Sequence, residues 1–442
     1  MVGEWQRLVL ADVIDLISGG TPRTSAPEYW GGDIPWLSVA DFNTGYRWVS
    51  GAEKSITDRG LSESATAILN QGDIIISARG TVGVAAQLAK PMAFNQSCYG
   101  IRGKRGIAET DFIYYALRHT VSEMKRVAHG GVFDTITRDT FKIIEVDIPP
   151  LLEQRAIAHI LGTLDDKIEL NRRMNETLEA TARAIFKSWF VNFDPVRAKA
   201  GLPSPSGKGA GGEGAGLPQP LADLFPDSFE DSELGEIPKG WRVGRFGDVV
   251  EQLRDQENPL SSPDVLFHHY SLPAFDDGQN PQIEYGGSIK SLKSRVPAGV
   301  ILLSKLNPEI ERVWMVDVRP DERAVCSTEF LVLRARIPFA RNYVYCLTRS
   351  PIFRQQIKGL VTGTSKSHQR AQVDSILNLT VVFPPSSVVA AFERYATGLL
   401  ERPFVCRRES RALTALRDTL LPKLISGELR VNRFEPTVWV VA

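Results

Sequence analysis

The chain has 442 residues, carries 52 Lys+Arg against 52 Asp+Glu, and is 43% hydrophobic. At roughly 150 residues per domain this length predicts about three structural units, and the apolar content excludes general disorder. The N-terminus lacks the basic-then-apolar order of a signal peptide, and no apolar run approaches the ~20 residues of a membrane span.

The four cysteines, Cys98, Cys326, Cys346 and Cys406, are far apart and form no C-x-x-C pair. That spacing argues against a zinc ribbon or a disulfide framework and fits reduced thiols in a cytoplasmic protein. Zero net charge speaks at first against nucleic acid as a partner.

Repetition organises the chain. Trp5 with Asp12-Val13 returns as Trp241 with Asp248-Val249, 236 residues later. Gln71-Gly-Asp-Ile-Ile-Ile-Ser77 reads like Ala298-Gly-Val-Ile-Leu-Leu-Ser304, Ile113-Tyr-Tyr-Ala-Leu117 like Val344-Tyr-Cys-Leu347, and Ile148-Pro-Pro150 like Phe383-Pro-Pro385. Four landmarks in one order, with an offset that shrinks and recovers, predict two diverged copies of one module. Within each copy, strands at 73–77, 300–304 and 330–333 alternate with loops and with helices at 112–125 and 343–358.

Each copy ends at its Pro-Pro and enters a helical stretch. After the first, Ile157, Leu164, Asn171, Leu178 and Ile185 recur every seven residues, with Leu161, Ile168, Asn175, Ala182 and Trp189 four later. After the second, Phe392, Leu399, Cys406, Leu413 and Leu420 do the same. Both patterns predict long helices with a coiled-coil seam, packed antiparallel, with Pro403 kinking or splitting the second. Asn171 and Asn175 either fix the register of the seam or are solvated where the seam is imperfect.

The resulting division is a first module at 1–150, a long helix at 151–193, a Gly/Pro-rich acidic linker at 194–236, a second module at 237–386, a second long helix at 387–430 and a tail at 431–442. The fold class is α+β, with two globular domains joined by two long antiparallel helices in a pseudo-twofold internal duplication. The linker holds three basic and eight acidic residues, so the rest of the chain carries a net charge of +5. Neutrality is therefore partly a product of the linker.

Catalytic motifs are missing. There is no phosphate-binding G-x-x-x-x-G-K-[ST], and neither Pro-Pro pair has the amide and aromatic flanks of an amino-methyltransferase tetrapeptide. Asp165-Asp166-Lys167 resembles the end of a nuclease metal site, yet it lies on the heptad helix with no partner acid and reads as a solvated face. His268-His269 lacks a third ligand at metal spacing and reads as a structural or DNA-facing pair. Gly-Thr-Val-Gly at 80–83 reads as a turn.

Binding chemistry is richer. Residues 350–370 hold Arg354, Lys358, Lys366 and Arg370 and no acid. Small hydroxyls and cations that can meet phosphates, and amides and guanidinium groups that can read base edges, gather at matching places in the two copies. The first has Thr21, Arg23, Arg79, Thr81, Asn95, Gln96, Thr135, Thr137 and Arg138. The second has Lys290, Lys293, Lys305, Asn307, Thr364, Lys366, His368, Gln369 and Arg370.

Four passages carry a resemblance. They are Gly19-Gly-Thr-Pro22 through Trp36, Ile148-Pro-Pro-Leu-Leu-Glu-Gln154 leading into Leu164-Asp-Asp-Lys-Ile-Glu-Leu-Asn171, Asn175-Glu-Thr-Leu178 with Phe186-Lys-Ser-Trp-Phe-Val-Asn-Phe193, and Leu416 through Leu429. With them the sequence resembles, over essentially its whole length, the DNA-specificity (S) subunit of a type I restriction–modification system. It departs at Ser386-Ser387, where the first copy has Leu-Leu-Glu-Gln, and at Pro403.

The resemblance implies two target recognition domains reading a bipartite, asymmetric double-stranded DNA site, with the helices as a ruler between half-sites. It implies a chain with no cofactor and no catalysis of its own. Partners would be two methyltransferase (M) subunits carrying S-adenosylmethionine and two restriction (R) subunits using ATP and Mg2+. Ile185, Trp189 and Phe193 with Leu416, Leu420 and Leu424 are expected either to dock the M subunits or only to seal the helices together. Rival classes are an adenine methyltransferase fused to its own recognition domain and a protein–protein scaffold with no DNA role.

Overall fold

The computed structural model describes residues 4–127, 135–205, 217–362 and 369–431. The chain divides into two compact units, one formed by residues 1–172 with 408–442 and the other by residues 173–407.

In the first unit, strand Gln6–Val9 pairs antiparallel with Glu145–Ile148. A five-stranded sheet follows in the order Ile14–Ser18, Cys98–Gly103, Ile74–Ser77, Ala85–Leu88, Trp48–Val49. A four-stranded sheet has the order Lys54–Ile56, Trp30–Leu37, Met92–Phe94, Ile68–Leu69, and its two central strands are parallel. The run Ile74-Ile75-Ile76 is apolar without alternation because both faces of its strand are covered. Ile74 and Ile76 join Phe112, Tyr115 and Phe141 in one core, whereas Ile75 joins Leu37, Leu69 and Leu88 in another.

The second unit repeats this plan. Arg242–Arg245 pairs with Thr380–Phe383. The main sheet runs Val250–Leu253, Phe330–Ala335, Ile301–Ser304, Val313–Met315. The smaller sheet again has a central parallel pair, Leu266–Tyr270 beside Ala324–Cys326. Ile301 and Leu303 enter one core and Leu302 another, as their counterparts at 74–76 do. The expected duplication thus appears in the terminal strand pair, in four strands of the main sheet and in the parallel pair of the smaller one, while the first main sheet has a fifth strand and the smaller sheets have four and five. The helix expected at 343–358 is two, Arg341–Thr348 and Pro351–Lys358, because Pro351 starts a new helix capped by the Ser350 hydroxyl.

Two helices of 40 residues each, Leu151–Phe190 and Ser386–Ile425, contribute to both units. Their contacts within each unit run antiparallel. In the first, Asn171 meets Glu409 at 2.9 Å and Asp165 meets Arg417 at 2.6 Å. In the second, Glu179 meets Arg407 at 2.6 Å and the Trp189 ring lies 6.2 Å from that of Phe392. Asn171 is fully buried and donates to the Glu409 carboxylate and the Ser410 hydroxyl, so it is not solvated and its bonds favour one register. Of the kink or split expected at Pro403, the split does not occur: the helix continues through it and through Pro422.

The segment read as a linker is folded at both described ends. Helices Asp194–Lys199 and Gln219–Ala222 and the hairpin Phe229–Ser232/Gly235–Pro238 pack Val196, Leu221, Phe225 and Ile237 into the core of the second unit. Its apolar residues, spaced between the charges, find a surface to cover. The stretch 206–216, which holds most of the glycines, lies outside the described residues.

Candidate nucleic-acid interface

At one end of the main sheet of the first unit, strands finish at Ser18 and Ser77 and a third begins at Cys98, placing three loops side by side. The loop after Ser18 passes so close to the 94–96 turn that a side chain at Gly19 would sit 2.2 Å from the Asn95 carbonyl. Only glycine permits that approach, and it brings the Thr21 hydroxyl onto the Gln96 side-chain carbonyl. Asn95 in turn accepts from the Ser97 amide at 3.0 Å.

The loop after Ser77 is stitched into the same group. The Ala78 amide donates to the Ser97 carbonyl at 2.8 Å, and the Ile136 amide donates to the Ala78 carbonyl at 2.9 Å. The Ser77 hydroxyl donates to the Thr81 carbonyl, closing a tight turn in which Gly80 and Gly83 take positive φ, as the turn reading of 80–83 expected. Arg138 donates to the Ser18 hydroxyl at 2.8 Å, and Thr137 bonds Thr140 at the start of a short helix. Thr21, Arg79, Thr81, Asn95, Gln96, Thr135, Thr137 and Arg138 therefore belong to one loop cluster. Arg23 lies on the continuation of its first loop, where its carbonyl accepts from the Trp30 indole at 3.1 Å. Arg23 and Arg79 are exposed.

The second unit builds the same end. Lys305 follows the strand ending at Ser304, and its amide donates to the Glu329 carbonyl at 3.0 Å. The Ala371 amide donates to the Lys305 carbonyl at 3.0 Å, and the Asn307 amide to the Gln369 carbonyl at 2.7 Å. Asn307 has φ 47°, a left-handed conformation that asparagine tolerates better than most residues. Arg370 is held by Glu329 through two hydrogen bonds of 2.7 and 3.1 Å. Lys305, Asn307, Gln369 and Arg370 are thus brought together, whereas Thr364, Lys366 and His368 lie outside the described residues.

Lys290 and Lys293 are placed elsewhere, on and beside the smaller sheet, where Lys293 stands opposite Glu257 and donates to Ser291. Arg354 does not join the exposed basic run. It is 7% exposed and donates to the Pro308 carbonyl.

Other candidates become structural. Asp165 is 5% exposed and accepts from Arg417 and from the Tyr115 hydroxyl, so the expectation of a solvated face is overturned there. Its neighbours face outward: Asp166 accepts from the Trp48 indole at 3.0 Å and Lys167 lies 3.4 Å from Glu409. His269 is bound to Glu284 at 2.9 Å, and burial lowers its pKa, keeping the ring neutral near neutral pH. Burial pushes the thiols of Cys98, Cys326 and Cys346 up to about 12, which leaves them as apolar core groups.

Trp189 and Phe193 are 4% and 8% exposed, their rings packed on Phe225, Phe392 and Trp241 of the same unit. Leu424 is also buried, Ile185 and Leu420 are half-buried, and Leu416 is 48% exposed. Residues that sequence reasoning missed at the loop clusters are Ser18, Ser97 and Glu329. The signal was present in the repeat, since Ser97 and Glu329 stand just before corresponding strands.

Residues 3–180 match the model of the type I restriction modification DNA specificity domain. That stretch of the chain is similar to this family. It is 26% identical to the type I restriction enzyme MjaIX specificity subunit of Methanocaldococcus jannaschii, over 97% of this chain and 94% of that one. It is 25% identical to the HindI specificity subunit of Haemophilus influenzae, over 74% of this chain and 79% of that one. The crystal structure of the S subunit of a type I system from M. genitalium superposes with a TM-score of 0.53 at 15% identity, covering 96% of each chain, and so shares the fold. No helix among the described residues is long and apolar enough to cross a membrane.

Proposed function

We propose that this chain reads a bipartite, asymmetric double-stranded DNA site, one half with each of its two modules, and performs no chemistry itself. The observation that carries this reading is one backbone framework built twice and furnished with different side chains. Hydrogen bonds at Ala78, Ser97 and Ile136 recur at Lys305, Glu329 and Ala371, while the groups around them differ. Two readers of one design with different contact residues suit a site whose halves differ.

In this reading the modules are target recognition domains, and the two 40-residue helices, each roughly 60 Å long at ~1.5 Å per residue, form the antiparallel spacer joining them. The chain assembles in the cytoplasm with two methyltransferase subunits, which bring S-adenosylmethionine, and two restriction subunits, which use ATP and Mg2+. Leu416, exposed on the second long helix, is the member of the expected docking set best placed to meet a methyltransferase subunit. Arg23, Arg79 and Lys305 supply positive charge, and much of the phosphate neutralisation is left to the partners, in keeping with a chain of zero net charge.

The test is protection of random-sequence DNA by the chain assembled with its methyltransferase subunits. Protection of a split motif supports the reading. Protection without sequence preference contradicts it, as does methyl transfer to DNA by the purified chain alone.

A further inference from the structure

We propose that Glu329 and Arg370 form a base-reading pair in the second module, with Glu329 as the positioning residue and Arg370 as the group that meets guanine. We further propose that Ser97 and Thr135 hold the corresponding places in the first module. This rests on the DNA-reading role proposed above and names the residues that make the two modules read differently.

The correspondence is set by the backbone. In the first module the Ala78 amide reaches the Ser97 carbonyl at 2.8 Å, and the amide after Thr135 reaches the Ala78 carbonyl at 2.9 Å. In the second the Lys305 amide reaches the Glu329 carbonyl at 3.0 Å, and the amide after Arg370 reaches the Lys305 carbonyl at 3.0 Å. Ser97 and Glu329 each stand just before the corresponding second strand of the main sheet, at Cys98–Gly103 and Phe330–Ala335. The two frameworks are the same and the two side-chain pairs are not. One module presents small hydroxyls; the other presents an acid and a guanidinium.

The geometry of the charged pair suits recognition rather than folding. Its side chains are 53% and 20% exposed, and an exposed ion pair adds little to stability. What it does supply is orientation. The carboxylate grips Nε and Nη2 of Arg370 at 3.1 and 2.7 Å, which restricts the plane of the guanidinium. A guanine would be met by the adjacent Nη1/Nη2 end of the guanidinium, a donor pair that matches the O6 and N7 acceptors in the major groove. A guanidinium held in advance loses less freedom when the base arrives. Ser97 and Thr135 cannot make a charged fork, so the first module would not select guanine by this contact.

The experiment uses the full chain assembled with its methyltransferase subunits and compares the wild type with the paired change Glu329→Ser/Arg370→Thr. That change installs the first module's residues on a backbone that already supports them. Binding is measured against site variants substituted one base pair at a time, at several salt concentrations. The expected result is loss of about tenfold in preference at one G·C pair of one half-site, with the other half unchanged.

Two results overturn the proposal. One is an even fall in affinity over all sequences with a shallower salt dependence, which makes Arg370 a phosphate contact. The other is an unchanged motif at unchanged affinity, which makes the pair an ordinary surface ion pair. If the double variant binds no DNA, Glu329→Gln decides: a preference altered at that one position supports the pair, and an unaltered motif overturns it. Replacing residues 237–386 as a block separates this inference from the reading beneath it. If the block changes one half-site and the pair does not, only the inference fails; if the block changes nothing, the DNA-reading role fails.

Discussion

Asp165, on the first long helix, accepts a 2.6 Å hydrogen bond from Arg417, on the second, and the two residues are 5% and 8% exposed. The carboxylate also takes the hydroxyl of Tyr115, which joins the helix Thr110–Val127 of the first unit to both long helices. Removing Arg417 leaves Asp165 with the Tyr115 hydroxyl and with Arg118 at 3.5 Å, whereas removing both members avoids the undercompensated charge and costs packing and the acceptor of Tyr115. Arg417→Met is therefore expected to destabilise the first unit by about 3 kcal/mol, and Asp165→Leu/Arg417→Met to recover most of that. Urea unfolding of the full chain checks the order; a double variant as weak as the single would contradict it.

Acid should loosen the clasp that closes the first unit. Glu153 accepts from Arg430 at 2.9 and 3.0 Å, from the Trp5 indole at 3.1 Å and from the Val431 amide at 3.3 Å. Burial works to raise its pKa, but the bonds from Arg430, Trp5 and Val431 prevail and hold it below the usual carboxylate range. A carboxyl group with a lower pKa folded than unfolded stabilises the fold above its unfolded value of about 4.3, and that stabilisation disappears as pH falls through the folded value. Glu153→Gln should unfold more readily than the wild type at pH 7 and lose that disadvantage on acidification. Melting curves across pH check this.

His269 adds to the same trend nearer neutrality. Its pKa is lowered, chiefly by burial, so the unfolded chain binds a proton more readily and stability falls as pH drops below about 6.5. His269→Gln is expected to flatten that part of the stability profile of the second unit.

Trp189 and Leu416 separate packing from partner binding. Trp189 packs on Phe190, Phe225, Phe392 and Tyr395, so Trp189→Ala should cost about 3–5 kcal/mol. Leu416→Glu places a charge on an exposed position and should change stability by less than about 0.5 kcal/mol. If Leu416 meets a methyltransferase subunit, the same change weakens co-purification of that subunit; full retention would remove Leu416 from the interface.

Much of this was legible in the sequence because the signals were periodic or repeated. The landmarks at 71–77 and 298–304 identify the same central strand, and the heptads from Ile157 and from Phe392 identify the long helices. Asp165 was misread because its partners are remote: Arg417 is 252 residues away, and no local pattern pairs them. The linker was misread because glycine and charge dominate its composition, whereas its fold depends on a few residues such as Val196 and Phe225. Arg370 was visible as a cation, but Glu329, 41 residues earlier, is recognisable as its partner only when the strands are set in register. Trp189 and Phe193 read as a face wide enough for a partner because the sequence does not reveal Phe392 and Trp241 packed against them.

Mapping modified adenines in a genome that expresses this chain with its methyltransferase subunit tests the central claim most directly. The map should show one split motif, and exchanging residues 1–150 for those of a relative should change one half and leave the other intact. A single continuous motif, or a change in both halves, would contradict the account.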